Sequence, residues 1–388
     1  MSTRARPSCA RERRARTTAR ASDDADDRAR GGRATTRRDA LRAGFHLDAC
    51  RRLTHMNPSL ATPWTPTTDA TLGEQYARAL ELASDRERRR TTIGLEAEGG
   101  TLRARWRAGR NELAGVVDSG SPFLTTFRRC AASGWGCVDA RDVSFVAFES
   151  TRETYGLQID DATSWYAATR AGVGEFNFDE LVFGVADGVR GTNAAPFFGL
   201  VKYVNRERGI RPSFLQQTDI SSFALDFDNQ SLTLSRDSLV DPTRAGVLRT
   251  VDLRVKGAPV YHYASLCDEL WINGERFQTS KPIYVAFDSG TTGMLVDRSL
   301  FDASDFQLGC RSVDMKFTDV HGQAKFCGSS LKTCTRDCLF IVKPIDVPWE
   351  GVGRDYHIVF AGLSVLRNEG SLVVDADRGL VRLGRFEV

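Results

Sequence analysis

The chain has 388 residues, a formal net charge of +3 and a hydrophobic content of 41%. This length allows two globular domains and a leader, and the balance of hydrophobic and charged residues is ordinary for a globular protein. A net charge this small argues against nucleic acid as a partner for the whole chain. The sequence has no apolar run of the roughly 18 residues that a membrane-spanning helix needs, so no membrane span is expected.

Residues 1–91 are predicted to form a leader rather than a packed domain. The stretch through Arg38 is rich in Arg, Ala, Ser and Thr and has almost no large apolar residues to bury. This composition favours a transit peptide and a plastid destination, whereas the acidic residues around Asp23 count against it. A wrongly assigned start, a disordered tail and a secretory or vacuolar destination stay open. Apolar residues at helical spacing between Thr71 and Arg90 favour a solvated linker helix over a propeptide helix.

From about Thr92 the sequence is typical of an all-β protein. Short runs rich in Val, Phe, Leu and Thr are separated by Gly, Asp and Asn, which predicts many short strands. The predicted strands include Leu113–Val117, Val143–Phe148, Glu180–Val185, Phe223–Phe227, Ser231–Leu234, Ile283–Phe287, Leu339–Val342, His357–Phe360 and Ser371–Val374. One segment, Phe198–Arg208, is predicted to be a helix that stops at Gly209.

An internal repeat is the most informative feature of the sequence. In each copy an apolar strand runs into Asp-Ser-Gly followed by a hydroxyl residue. The copies end in Asp118-Ser119-Gly120-Ser121 and Asp288-Ser289-Gly290-Thr291, with 170 residues between equivalent positions. Two similar halves in tandem are therefore predicted.

The residue types in these turns suit a pair of positioned carboxylates. One Asp-Ser-Gly is a weak signal, because turns favour all three residue types. Two copies are more specific when each ends a strand, since the strand fixes the carboxylate and the glycine permits close backbone approach. We expect the hydroxyls of Ser119 and Ser289 to bond across to the opposite turn. Ser121 and Thr291 are expected to donate to the outer carboxylate oxygens.

Paired turns of this kind resemble the signature of the pepsin-like aspartic peptidases, in a divergent plant or algal type. The resemblance covers roughly Thr92–Val388. It implies a bilobal fold with β-rich lobes at 92–240 and 241–388 and an active-site cleft between them. It also implies that Asp118 and Asp288 are the catalytic carboxylates.

Other segments match the family in the expected order. Tyr155-Gly156 resembles the flap that folds over the substrate, with the tyrosine at its tip. Two segments compete as the apolar-Gly element that buttresses the first turn, and Asp187–Gly191 is favoured over Phe197–Gly199. In the second half, Phe360–Leu363 resembles the equivalent buttress.

The chemistry that the resemblance implies needs no metal and no other cofactor. Two carboxylates within hydrogen-bond reach share one proton, because like charges that close cannot both ionise easily. The charged member takes a proton from water, which attacks the peptide carbonyl, while the protonated member polarises that carbonyl. Because the two titrate as a unit, the sequence assigns neither role to either aspartate.

The cysteines and histidines are predicted to play other parts. Nine cysteines leave at least one unpaired, and their spacing is not that of a zinc site. The resemblance implies a Cys130–Cys137 disulfide, and in an oxidising compartment we expect Cys310 to join one of Cys327, Cys334 and Cys338. None of the histidines lies in a nucleophile motif, so surface or packing roles are expected for His46, His55, His262, His321 and His357.

Three hypotheses about function follow. The first is a monomeric endopeptidase that binds an extended polypeptide as an added strand beneath the flap. The second is a catalytically weak or inactive pepsin-fold protein that binds peptides or proteins. The third, a plastid protease associated with nucleic acid, depends on the basic leader. Because the chain uses Arg almost exclusively before Lys202, the basic leader is weak evidence and nucleic acid is not expected as a partner.

Overall fold

A computed structural model of the chain describes residues 88–98, 100–128, 134–138, 145–155, 159–186, 195–203, 213–331 and 341–386. All of them belong to the unit Ala49–Val388. Their backbone is mostly β-strand, so the predicted all-β class is confirmed. Residues 71–87 of the predicted leader helix lie outside the described residues, and its predicted end at Arg90 is wrong, because Arg90 begins a strand.

The strands and helices are numbered in chain order. The first-half strands are β1 (Arg90–Gly94), β2 (Glu96–Glu98), β3 (Thr101–Ala108), β4 (Asn111–Asp118), β5 (Thr125–Phe127), β6 (Phe145–Tyr155), β7 (Ile159–Val173), β8 (Phe176–Ala186), β9 (Phe197–Gly199), β10 (Ser222–Asp226) and β11 (Ser231–Ser235). The later strands are β12 (Val247–Arg249), β13 (Ala264–Cys267), β14 (Glu269–Ile272), β15 (Glu275–Arg276), β16 (Ile283–Phe287), β17 (Met294–Asp297), β18 (Ser312–Thr318), β19 (Ala324–Ser330), β20 (Val342–Ile345), β21 (His357–Ala361), β22 (Ser371–Asp375) and β23 (Leu380–Leu383). The α-helices within the described residues are short: α1 (Phe214–Gln217), α2 (Arg298–Ala303) and α3 (Leu363–Leu366).

The sheets of the described residues divide by position in the chain. An eight-stranded sheet from the first half has the order β5-β8-β7-β3-β4-β9, with β2 beside β3 and β6 beside β7. The second half forms two sheets, ordered β13-β16-β21-β17-β20 and β15-β14-β18-β19. A further sheet, ordered β1-β11-β10-β22-β23-β12, takes strands from both halves and is called the shared sheet below.

Strand β3 has the alternating pattern of a sheet with one buried face. Its apolar residues Leu102, Ala104 and Trp106 are buried, whereas Arg105 and Arg107 are exposed. Successive side chains of a strand point to opposite faces, so this sequence buries one face against the core and leaves Arg105 and Arg107 on the other face in water. By contrast, β10 and β22 are buried at every position, which suits the interior of the shared sheet.

Both halves use the same strand pairing around the repeated turns. Strand β4 ends at Asp118 and pairs in parallel with β9, and β16 ends one residue before Asp288 and pairs in parallel with β21. The strand after each turn also has a parallel partner, β8 for β5 and β20 for β17. The repeat seen in the sequence is therefore a repeat of topology.

The sequence analysis favoured the wrong segment as the apolar-Gly element that buttresses the first turn. Phe197–Gly199 forms β9 directly beside β4, with Gly199 opposite Asp118. Asp187–Gly191, the segment favoured by the sequence, lies outside the described residues. Phe198 is fully buried and packs edge-to-face on Phe214 with ring centroids 5.3 Å apart. An apolar segment fits this interior position, whereas the charged side chains of Asp187–Gly191 would be desolvated there.

The helix predicted from Phe198 was also wrong at its start. Phe198 and Gly199 are extended in β9, residues 200–203 are not helical, and 204–212 lie outside the described residues. The helix that the structure has in this region is α1, and Ser213 and Gln216 form a capping box at its beginning. Phe198 is therefore buried in a strand beside β4 rather than on the face of a helix.

Two predicted strands differ from the structure at their ends. The strand expected at Leu339–Val342 begins at Val342 and continues to Ile345, and residues 332–340 lie outside the described part. Strand β6 is described from Phe145 and continues well past the predicted end at Phe148. Pro344 lies within β20, although proline has a low strand propensity. Proline is tolerated at the edge of a sheet, and β20 is an edge strand, so strand propensity alone gave the wrong end for this strand.

Replacing Phe223 by Ala should lower the free energy of unfolding by about 3 to 5 kcal/mol. Phe223 lies on β10, is fully buried and contacts Tyr263 edge-to-face at 5.6 Å. Denaturant unfolding measures the change. The matched control is Phe326→Ala on β19, where the side chain is 56% exposed and a loss below about 1 kcal/mol is expected. Equal losses in the two variants would contradict the burial described here.

Candidate active site

The two Asp-Ser-Gly turns meet through their serines. The Ser119 amide donates to Oγ of Ser289 at 3.1 Å, and the Ser289 amide donates to Oγ of Ser119 at 2.9 Å. Each hydroxyl then donates across the pair, from Ser119 to the Phe287 carbonyl at 2.8 Å and from Ser289 to the Val117 carbonyl at 2.8 Å. Both serines are buried. These reciprocal bonds fix the two strand ends against each other.

The carboxyl groups lie beside each other and against the opposite turn. The Gly120 amide donates to Oδ1 of Asp118 at 2.7 Å, and the Gly290 amide donates to Oδ1 of Asp288 at 2.9 Å. Asp118 and Asp288 also interact through a side-chain hydrogen bond and through their charges. Each carboxyl therefore has a backbone donor from its own turn and the other carboxyl as its neighbour.

The surroundings of the two aspartates are not equivalent. The Thr291 hydroxyl donates to Oδ2 of Asp288 at 2.8 Å, whereas among the described residues Ser121 reaches Asp118 through its backbone N–H. Burial raises the pKa of Asp118 well above its ordinary value, and the charge and hydrogen bond of Asp288 act in the same direction. The Gly120 and Ser121 amides oppose the rise. The raised pKa of Asp118 favours a state in which the pair of carboxyls holds one proton.

The predicted flap residue lies at the end of a long hairpin. Strands β6 and β7 are antiparallel, and Tyr155 pairs with Ile159 at the end of the ladder. Gly156, the other predicted flap residue, lies outside the described residues. Tyr155 is thus the last residue of β6, and its role in a flap stays a prediction.

Trp165 anchors this hairpin beside the first turn, and the sequence did not identify it. Its indole N–H donates to the Thr151 hydroxyl at 2.8 Å, which joins β7 to β6. Its ring lies edge-to-face on Phe123, with centroids 5.0 Å apart. Phe123 follows the Asp118 turn, so the hairpin and the turn share this contact. A tryptophan within a strand has no spacing signal that would have marked it.

The disulfide expected at Cys310 is absent from the described residues. Cys310 and Cys327 are free thiols, as is Cys267. The Cys310 thiol donates to the Ser312 carbonyl at 3.4 Å, and Cys327 is buried on β19, where desolvation raises its pKa well above the ordinary value. Each thiol therefore has its own packing or hydrogen-bonding environment. Cys130 lies outside the described residues, so its pairing with Cys137 stays a prediction.

Two further observations concern the described residues as a group. Among them, no cluster of three or more His, Cys, Asp or Glu side chains is arranged to hold a metal ion. The helices in this part of the chain are also too short or too polar to cross a membrane.

Comparison with protein-family models and with curated proteins identifies no relative of the chain. No protein-family model matches the chain, and no curated protein matches it either. Asp118, Asp288 and the serines that join their turns are therefore the features of the chain that bear most directly on its function.

A buried carboxylate near the second turn predicts loss of stability in acid. Asp297 accepts hydrogen bonds from the Leu300 amide at 3.0 Å and the Ile358 amide at 2.9 Å, and its Oδ2 lies 3.2 Å from Nδ1 of His357. Burial opposes ionisation, but these bonds and one from Ser299 prevail and lower the pKa of Asp297. A carboxyl with a depressed pKa stabilises the fold above its unfolded pKa, and this stabilisation is lost as pH falls through the folded pKa.

We expect Asp297→Asn to lower Tm clearly at pH 6 and to differ less from the parent as pH falls below about 4. Thermal unfolding between pH 3 and pH 6 tests this. Asp305→Asn, at an exposed carboxylate, is the matched control and should change Tm little at any pH. A difference for Asp297→Asn that stays constant across the range would contradict the role given to its charge.

Proposed function

We propose that the chain is an aspartic-type endopeptidase with a bilobal pepsin-like fold, formed by lobes at 92–240 and 241–388 after a leader at 1–91. The observation that carries the proposal is the reciprocal bonding of Ser119 and Ser289. It holds two carboxyl groups together at the ends of equivalent strands. The repeated topology around the turns and the shared sheet are what two tandem lobes would require.

The two carboxyls suit the activation of water between them. Asp288, whose charged form accepts from Thr291 and Gly290, takes a proton from the water, and the water oxygen bonds to the peptide carbonyl carbon. Asp118 donates its proton to the carbonyl oxygen. When the tetrahedral intermediate collapses, the C–N bond breaks, Asp288 gives its proton to the leaving amine nitrogen, and a hydroxyl of the intermediate returns a proton to Asp118. Both carboxyls are then ready for another cycle, and no covalent intermediate is needed.

The expected substrate is an extended polypeptide. A peptide that lies beneath the β6–β7 hairpin would be held as an added strand, through its main-chain groups, and its side chains would enter pockets on either side. The hairpin that ends at Tyr155 is anchored beside the first turn through Trp165 and Phe123, so it is suitably placed to cover a substrate on the carboxyls.

The test is hydrolysis of an unfolded protein by the full chain between pH 3 and pH 8, with and without pepstatin, as a marker of this peptidase class. Peptide products that pepstatin suppresses are expected. A chelator should leave the rate unchanged, because the proposed steps pass through carboxyl groups alone. If a folded chain, verified by circular dichroism, cleaves nothing across the range, the enzyme proposal fails and the binding hypothesis replaces it.

A further inference from the structure

Tyr263 is a buried tyrosine that the steps above do not use. Its side chain is 1% exposed, and its ring meets Phe223 and Tyr261 edge-to-face at 5.6 and 6.4 Å. The hydroxyl donates to the Leu200 carbonyl at 2.8 Å and accepts from the Lys202 amide at 3.2 Å. Phenylalanine would fill the same space against these rings. Packing therefore does not explain the hydroxyl, which is costly to bury unless its hydrogen bonds are made.

The segment that receives the hydroxyl is bonded to the first turn. The Leu200 amide donates to the Asp118 carbonyl at 2.9 Å, and the Val201 amide donates to the Ser121 carbonyl at 3.0 Å. Leu200 is fully buried and directly follows β9, the parallel partner of β4. The Tyr263 hydroxyl thus holds the residue that is itself bonded to the backbone of Asp118.

The backbone of Tyr263 is bonded to the strand that leads into the second turn. The Phe287 amide donates to the Tyr263 carbonyl at 3.0 Å. Phe287 is the last residue of β16 and precedes Asp288, and its carbonyl accepts from the Ser119 hydroxyl at 2.8 Å. Tyr263 therefore reaches the first turn through its hydroxyl and the second through its backbone, across a rigid aromatic ring.

The Tyr263 hydroxyl keeps its proton when the carboxyls titrate. Burial raises the pKa of Tyr263, so its bond to Leu200 is present in acid and at neutral pH alike. The described groups whose charges act on this hydroxyl raise its pKa further, and they are Tyr203, Tyr261 and Asp377. Asp377 is itself paired with Lys202 at 2.6 Å. A change in the pH dependence of a Tyr263 variant would therefore come from the carboxyl pair.

We propose that Tyr263 is a positioning residue for the carboxyl pair, which fixes the distance between the two turns through its hydroxyl on Leu200 and its carbonyl on Phe287. This inference rests on the proposed function for its consequence in catalysis. The link that Tyr263 makes between the turns does not depend on hydrolysis and is measured separately.

The kinetic arm compares Tyr263→Phe with the parent chain in the pH profile of kcat/KM. Two carboxyls in contact share one proton, so the singly protonated pair persists over a wide pH range. When the turns are held less firmly, this interaction weakens, and the two limbs of the profile should approach each other by about 0.5 to 1 unit. With active sites counted by pepstatin titration, kcat should fall about 10-fold, because the reacting groups are less well placed.

Tyr261→Phe is the matched control for this arm. Tyr261 is half-buried, and its hydroxyl bonds with Thr250 at 2.6 Å, within the second half of the chain. This variant also loses a tyrosine hydrogen bond, but its profile should keep the parent width. A purely structural tyrosine would lower Tm without changing the width. An unchanged width in Tyr263→Phe, or equal narrowing in Tyr261→Phe, would overturn the proposal.

The second arm is a double-mutant cycle on Tm, which needs no hydrolysis. Ser119→Ala removes the hydroxyl bond to the Phe287 carbonyl, and Tyr263→Phe removes the bond to Leu200. If both bonds hold the same two turns, the second loss should cost less once the first bond is gone. The double variant should then keep a Tm about 2 °C or more above the additive value. Ser119→Ala with Tyr261→Phe is the matched cycle and should be additive within about 1 °C.

Ser289→Ala provides a reciprocal cycle with Tyr263→Phe, since the Ser289 hydroxyl donates to the Val117 carbonyl across the same junction. It replaces the first cycle if Ser119→Ala does not fold. Additive losses with Tyr263→Phe would overturn the proposal even if the enzyme is active. Coupling in a parent chain that hydrolyses nothing would sustain the link between the turns and count against the proposed function instead.

Discussion

Replacing Asp288 by Asn is expected to lower kcat by roughly 10³-fold or more, because general acid–base catalysis of this kind contributes up to about 10⁴-fold. The amide cannot take the proton from the attacking water, yet it is almost the same size. Its oxygen can still accept from the Gly290 amide, and its NH2 group can donate to the Thr291 hydroxyl, which donates to Oδ2 of Asp288 in the parent chain. The fold should therefore persist, and activity should be lost without unfolding. Steady-state hydrolysis of a peptide substrate, beside thermal unfolding, measures both effects.

The matched control for this change is Asp346→Asn. Asp346 forms an ion pair with Arg298 at 2.6 Å, and its side chain is 75% exposed, so its replacement should leave both the rate and the stability nearly unchanged. Asp118→Asn should behave like Asp288→Asn. If Asp288→Asn kept more than about a tenth of the parent rate, water activation by this carboxyl would be ruled out, since general-base loss should be far larger.

Gly290→Ala is expected to have the second largest effect, a loss of about 10²-fold in kcat, because misplacement of reacting groups by about 1 Å is sufficient for a change of that size. A methyl group at Gly290 would lie 2.3 Å from Cγ of Asp118, closer than side-chain carbons approach in proteins. The contact is with the carboxyl itself, so the two aspartates must separate or rotate. Initial rates and a parallel test of folding by circular dichroism measure the outcome.

Gly94→Ala provides the comparison for this variant, since a methyl group there meets nothing within 4 Å. It should be fully active. Gly120→Ala should resemble Gly290→Ala, because its methyl would lie 2.7 Å from Oδ1 of Asp288. Full activity in both turn variants would mean that the close crossing of each carboxyl over the opposite glycine is not needed for the chemistry.

The elements that could be predicted are those that local pattern determines. Runs such as Ile283–Phe287 and His357–Phe360 are apolar and short, and both are strands. Phe198 was assigned to a helix that stops at Gly209, whereas its pairing with β4 decides its conformation. Partners that are distant in sequence, such as β10 and β22, leave no trace in either strand alone.

The residues of the candidate site could likewise be predicted only in part. The aspartates, serines and Thr291 were chosen because the repeated turn limits what those residue types can do. The sequence did not predict that Thr291 donates its hydroxyl to Asp288 whereas Ser121 reaches Asp118 through its backbone N–H. Both residues carry a hydroxyl, and the difference lies in how each turn orients it. Trp165 was missed because its contacts come from packing of distant segments, which a single sequence does not encode locally.

The shared sheet has a consequence for the order in which the protein folds. Strand β10 near the middle of the chain is flanked by β11, its neighbour in sequence, and by β22, which is made about 150 residues later. During synthesis the first half therefore emerges with one edge of β10 unpaired until almost the whole chain has left the ribosome. Pairings of such long range close slowly. An unpaired hydrophobic strand attracts other chains in the interval, so a chaperone that covers β10 should raise the yield of folded protein.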